Sequence, residues 1–80
     1  AGEFDVARRE LEAAVDHHRR KSAQDPVEKP DLVVTLLDLI RFERNVGRVD
    51  RAKVLLEEAC DVAKEVGNHD LLAEVMEQLG

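Results

Sequence analysis

The chain has 80 residues and a mass of 9.0 kDa, which is room for one small domain and not for two independent cores. Hydrophobic residues are 44% and charged residues 38%, leaving one serine (Ser22), one threonine (Thr35), one cysteine (Cys60) and no Tyr or Trp, so most nucleophiles and most aromatic stacking platforms are excluded. The net charge of -6 disfavours nucleic acid as a partner, because displacing counterions from phosphates needs surplus Lys and Arg.

The N-terminal residues Ala1-Gly2-Glu3-Phe4-Asp5 are acidic and lack the apolar segment of a signal peptide. Apolar residues then recur at helical spacing. Val6, Ala7, Leu11, Ala14, Val15 and His18 share one side of a helix predicted from about Asp5 to Ala23. Arg19-Arg20-Lys21 complements the dipole at the end of that helix and is expected to be a solvated cluster. His17 and His18 point roughly 100° apart on a helix and cannot chelate one ion together. His18 continues the apolar seam, as a partly buried structural histidine would.

Two prolines in Gln24-Asp25-Pro26-Val27-Glu28-Lys29-Pro30 predict a loop, since proline fixes φ and disfavours helix in the residue before it. Asp31 is the predicted N-cap of a second helix over 31–46, and Gly47 is expected to end it in the left-handed conformation. Apolar side chains run nearly all round residues 32–40. Yet the longest unbroken apolar runs, such as Leu32-Val33-Val34, are far too short to span a bilayer, so no membrane partner is expected. A lone cysteine forms no internal disulfide, which suits a reducing, cytoplasmic compartment. Asp50 is the predicted cap of a third helix over 50–66, halted by Gly67-Asn68, and a short fourth helix covers about 70–79.

An internal repeat ties the first and third helices together. Gly2 to Asp16 lies over Gly47 to Asp61 without a gap at a separation of 45 residues, and Gly, Asp, Ala, Leu, Glu, Ala and the final Asp coincide. The glycine turns the chain, the first aspartate caps, the two alanines allow close helix approach, and the leucine fills the space between them. Repetition of one supersecondary unit marks a helical solenoid.

With Leu36, Leu39, Ile40 and Glu43 followed after Gly47 by Ala52, Leu56 and Ala59, the chain resembles the tetratricopeptide repeat family. It reads as half a repeat, one full repeat, and the start of another at Met76, Leu79 and Gly80. Ile40 stands where the family usually has a small residue and Glu43 where it usually has an aromatic. The 40 residues from Leu36 to Met76 exceed the usual period of about 34. The resemblance implies an all-α fold, antiparallel helical hairpins in a right-handed stack of about four helices. One domain would cover residues 1–80 as an excerpt of a longer chain.

The resemblance also implies a non-catalytic protein–protein interaction module that docks a peptide or helix. It nominates Val34, Leu37, Arg41 and Arg44, with Asn45 at the end, as partner-binding residues, and Glu74 and Glu77 as the next helix's contribution. Two apolar side chains would grip the ligand and two arginines would pair its carboxylates. Val34 and Leu37 could equally be core. The alternative function is homodimerisation through the over-apolar second helix, which would cover ends that solenoids normally cap. No cofactor is expected. Cys60 and the three histidines offer no zinc spacing, and Cys60, at an apolar seam position, is expected to be a buried thiol.

Overall fold

Proline and glycine set the three corners that fold this chain, and they do so by different chemistry. In the computed structural model, which describes residues 2–78, α1 runs over Gly2–Gln24, α2 over Lys29–Asn45, α3 over Val49–Val66 and α4 over His69–Glu77. The fold is all-α, with four helices and no strand among the described residues.

The corner between α1 and α2 is a 3-10 turn over Pro26–Glu28, not an open loop. Asp25 caps it: its side chain accepts a hydrogen bond from the Val27 N–H at 3.1 Å, and its carbonyl accepts one from the Glu28 N–H at 3.0 Å. Helix α2 then starts at Lys29, two residues before the predicted cap, because Pro30 falls in the first turn, where no N–H is required. Asp31 therefore lies inside the helix. It acts on the helix dipole instead of capping, as does Asp50 in the first turn of α3.

The corner between α2 and α3 rests on Gly47, at φ 86°. Its N–H donates to the Arg44 carbonyl at 3.1 Å, and the next N–H, of Arg48, donates to the Glu43 carbonyl at 2.8 Å. This pair of bonds satisfies carbonyls left open at the end of α2. Gly67, at φ 73°, closes α3 with a single bond to the Ala63 carbonyl, and Asn68 opens α4 by accepting from the Asp70 and Leu71 N–H groups. Gly2, the repeat's counterpart of Gly47, is different: it begins a helix and makes no turn.

Helix directions follow from the ion pairs. Arg8 near the start of α1 reaches Glu43 near the end of α2, and Lys29 at the start of α2 reaches Glu65 near the end of α3. Both pairs are antiparallel neighbours. Glu12 with Arg51 and Arg19 with Glu58 join α1 to α3 at one constant offset, so those helices run parallel. Arg44 near the end of α2 meets Gln78, just past α4, which makes α2 and α4 parallel as well. Helices α1 and α3 thus lie beside each other on one side, and α2 and α4 on the other.

The core is dominated by α2, which packs on α1, α3 and α4. Leu32, Val33, Leu36, Leu37, Leu39 and Ile40 are all buried, against Val15 of α1, Ala52, Leu55, Leu56, Ala59 and Ala63 of α3, and Val75 of α4. Each fully buried leucine or isoleucine contributes about 1.5–3 kcal/mol from apolar burial. A helix wrapped by three others explains the apolar surplus over residues 32–40. Of the apolar side chains in that stretch, Val34 alone emerges well into solvent.

Candidate functional site

The outer face of α2 separates the predicted partner-binding residues into two groups. At 100° per residue, Arg41 lies about 20° from Val34, whereas Leu37 and Arg44 lie about 60° and 80° away on the same side. The boundary between solvent and core falls inside that arc. Val34 is 47% exposed, and Arg41, Arg44 and Asn45 are exposed, but Leu37 is only 2% exposed and belongs to the core. The solvent stripe is Val34, Asp38, Arg41 and Asn45, with Arg41 3.8 Å from Asp38. Arg44 shares the angular sector of Leu37 yet stays in water, because it sits in the last turn and its long side chain extends past the end of the core.

What holds Arg44 is Gln78. Its Nη1 donates to the Gln78 carbonyl at 2.8 Å and to Gln78 Oε1 at 3.1 Å. This bridge divides two hollows. One, open and polar, is lined by Arg41, Arg44, Asn45 and Gln78. The other, of about 160 Å³, is floored by Ile40, Val49, Ala52 and Leu56 and edged by Lys53. A guanidinium pair thus stands next to an apolar recess, on a chain that is acidic overall. Glu74 and Glu77 of α4 are exposed.

Sequence reasoning missed the role of Glu43. Its side chain is wholly buried, with Oε1 accepting from Arg8 Nε at 2.9 Å and Oε2 lying 3.6 Å from Arg48 Nε without a hydrogen bond. The hydrogen bond to Glu43 holds the Arg8 guanidinium above its ordinary pKa against the opposing pull of desolvation; the charges of Glu43, Asp5 and Glu12 add to it. Arg8 also lies over the Phe42 ring, 5.6 Å from its centroid, and Phe42 in turn meets Phe4 at 6.3 Å. A carboxylate at an apolar seam position, with an arginine 35 residues upstream, was the available signal. Without the helix directions nothing in the sequence pairs those two residues.

In the basic run at the end of α1, Arg20 and Lys21 are exposed, as a solvated cluster requires, but Arg19 is paired. Arg19 grips Glu58 through Nε at 2.7 Å and through Nη2, and also bonds Asp16 at 2.9 Å. The Glu58 bond raises the Arg19 pKa most, desolvation opposes it, and Asp16 adds to it. With Glu12, Val15, Leu39 and Arg51, Asp16 and Arg19 line a small charged crevice between α1 and α3. Cys60 is half-buried, not sealed as its seam position suggested, and lies beside Lys53, Leu56 and Glu57 in a shallow apolar hollow. Met76 is 55% exposed, so the predicted restart of the motif does not put it in the core; Leu79 and Gly80 lie outside the described residues. Among the described residues no helix is long and apolar enough to cross a membrane.

No protein-family model, no curated protein and no solved structure matches this chain. The reading of its function therefore rests on its own residues.

Proposed function

We propose that this chain is a non-catalytic protein–protein interaction module of the tetratricopeptide type, which docks a partner's peptide or helix on the face formed by α2 and the end of α4. The single observation that carries the reading is the pair of hollows on either side of the Arg44–Gln78 bridge. Arg41 and Arg44 pair a carboxylate of the ligand, and the recess over Ile40, Val49, Ala52 and Leu56 takes a neighbouring apolar side chain. Val34 and Asn45 extend the contact along the same face.

The family assignment is supported by burial. Of the residues that carry the resemblance, Leu36, Leu39, Ile40, Glu43, Ala52, Leu56 and Ala59 are buried, whereas Met76 is exposed. Glu43 departs from the family's usual aromatic, and its pairing with Arg8 supplies a different filling for the same space. Phe42, one position earlier, provides an aromatic ring at the edge.

Selection of random peptides displayed on phage against the folded chain tests the reading. The expected result is enrichment of sequences with an acidic residue, or a free C-terminal carboxylate, next to a bulky apolar one. Binding should fall at least tenfold in Arg41→Glu/Arg44→Glu with the helical circular dichroism unchanged. Enrichment that survives this double substitution, or no enrichment at all, would rule out this surface as the docking site.

A further inference from the structure

We propose that His18, Glu28 and Asp31 form a binding site for a divalent transition-metal ion, best suited to zinc, which fastens the end of α1 to the start of α2. A ligand nitrogen of His18 and one carboxylate oxygen each from Glu28 and Asp31 lie within 4.8 Å of one another. One imidazole and two carboxylates form a donor set used by first-row dications, and the two negative charges balance the ion. Three protein ligands leave a fourth tetrahedral position to water.

A second observation points to a missing ligand. Only two buried side-chain polar atoms among the described residues lack a hydrogen-bond partner, Glu43 Oε2 and His18 Nδ1. Glu43 Oε2 has the Arg48 guanidinium 3.6 Å away. His18 Nδ1 is buried without a hydrogen-bonding partner, although two carboxylates stand a short distance from the same imidazole. The three side chains are held near one another yet make no direct bond, the spacing that an intervening ion would bridge. With zinc–ligand distances of about 2.0–2.2 Å, small rotations of Glu28 and Asp31 close the gap.

The backbone around the site is stiff where it needs to be. Glu28 ends the 3-10 turn pinned by Asp25 and Pro26, and Asp31 follows it by three residues in the first turn of α2, with Pro30 between them. Lys29 and Arg19, the cations next in sequence to Glu28 and His18, are engaged elsewhere, Lys29 2.7 Å from Glu65 and Arg19 with Glu58 and Asp16. Sequence spacing among Cys60 and the histidines could not reveal this group. Two of its ligands are carboxylates, and the third approaches them only because the proline corner turns α2 back along α1.

The test uses the whole 80-residue chain, stripped with a chelator and titrated with zinc by calorimetry and with cobalt by visible absorption. One ion per chain is expected, with a rise in melting temperature on zinc addition. Asp31→Asn, at an exposed position, and Glu28→Gln should each weaken binding about tenfold or more and abolish the thermal shift. His18→Gln should do the same, while His17→Gln, His69→Gln and Cys60→Ser should bind as the parent does. The absence of saturable binding would overturn the proposal. So would binding that persists in both carboxylate variants, or that disappears with His17, His69 or Cys60.

Discussion

Residues 2–16 and 47–61 share seven identities at a fixed offset, and the protein uses them differently. In α3, Ala52, Leu56 and Ala59 are buried, because α2 covers one flank and α4 the next. In α1, the matching Ala7, Leu11 and Ala14 are only half-buried, since among the described residues α2 is the one helix that covers them. The difference inverts at one position: Val15 of α1 is sealed while Cys60, its counterpart, is half-open. The repeated glycines diverge as well, Gly47 turning the chain and Gly2 starting a helix. Identical residues thus mark equivalent positions in a unit, while the number of neighbours sets what each contributes.

Substitution at matched positions should expose that difference most strongly. Leu56→Ala is expected to cost about 2–5 kcal/mol and Leu11→Ala about 1–2 kcal/mol, because part of the Leu11 surface already meets water. Urea denaturation of the two variants side by side measures the gap. Equal losses would show that α1 is as deeply packed as α3.

The α1–α2 contact can be broken through its one buried charge. Arg8→Ala should lower the melting temperature more than removal of any surface ion pair, since it strands the Glu43 carboxylate. Adding Glu43→Leu to that variant should recover the lost stability, because the leucine leaves no charge to desolvate. Scanning calorimetry of the single and double variants decides it, and a double variant no more stable than Arg8→Ala would contradict the account.

The glycines give a smaller and oppositely signed pair. Gly47→Ala must hold a β-carbon at φ 86° and should cost about 1–2 kcal/mol, although no atom stands within 4 Å of the added carbon. Gly2→Ala, already helical, should stabilise by about 0.5 kcal/mol. Chemical denaturation midpoints would register both signs.

The smallest effect is expected where α1 and α3 touch only through charges. Arg51 and Glu12 are 4.0 Å apart and both half-exposed, so a double-mutant cycle should return about 0.5 kcal/mol or less. The Arg19–Glu58 cycle should return more, since Arg19 grips both carboxylate oxygens. Reversal of that order would mean that the α1–α3 crevice is held from the Arg51 end.

The helical class, the number of helices and the glycine stop signals were legible in the sequence, because they depend on local periodicity and on φ angles that few residues adopt. Helix starts were less legible. Asp31 and Asp50 resembled caps, but an acidic residue inside the first turn is equally favourable and leaves the same trace in sequence. Of the set predicted to bind a partner, Val34, Arg41, Arg44 and Asn45 lie at the surface as the stripe required, and Leu37 does not. A few tens of degrees of helix rotation decided that, and rotation is set by the packing of α2 between its neighbours.

Composition and periodicity by themselves determined that this chain is a bundle of amphipathic helices with charged outer faces. Tertiary structure alone decided that Glu43 meets Arg8, that Arg44 meets Gln78, and that His18 meets Glu28 and Asp31. The first two pairs join residues more than thirty positions apart, and the third group forms across a proline corner. Local propensity acts within a turn or two of helix, whereas these approaches depend on where each corner aims the next helix.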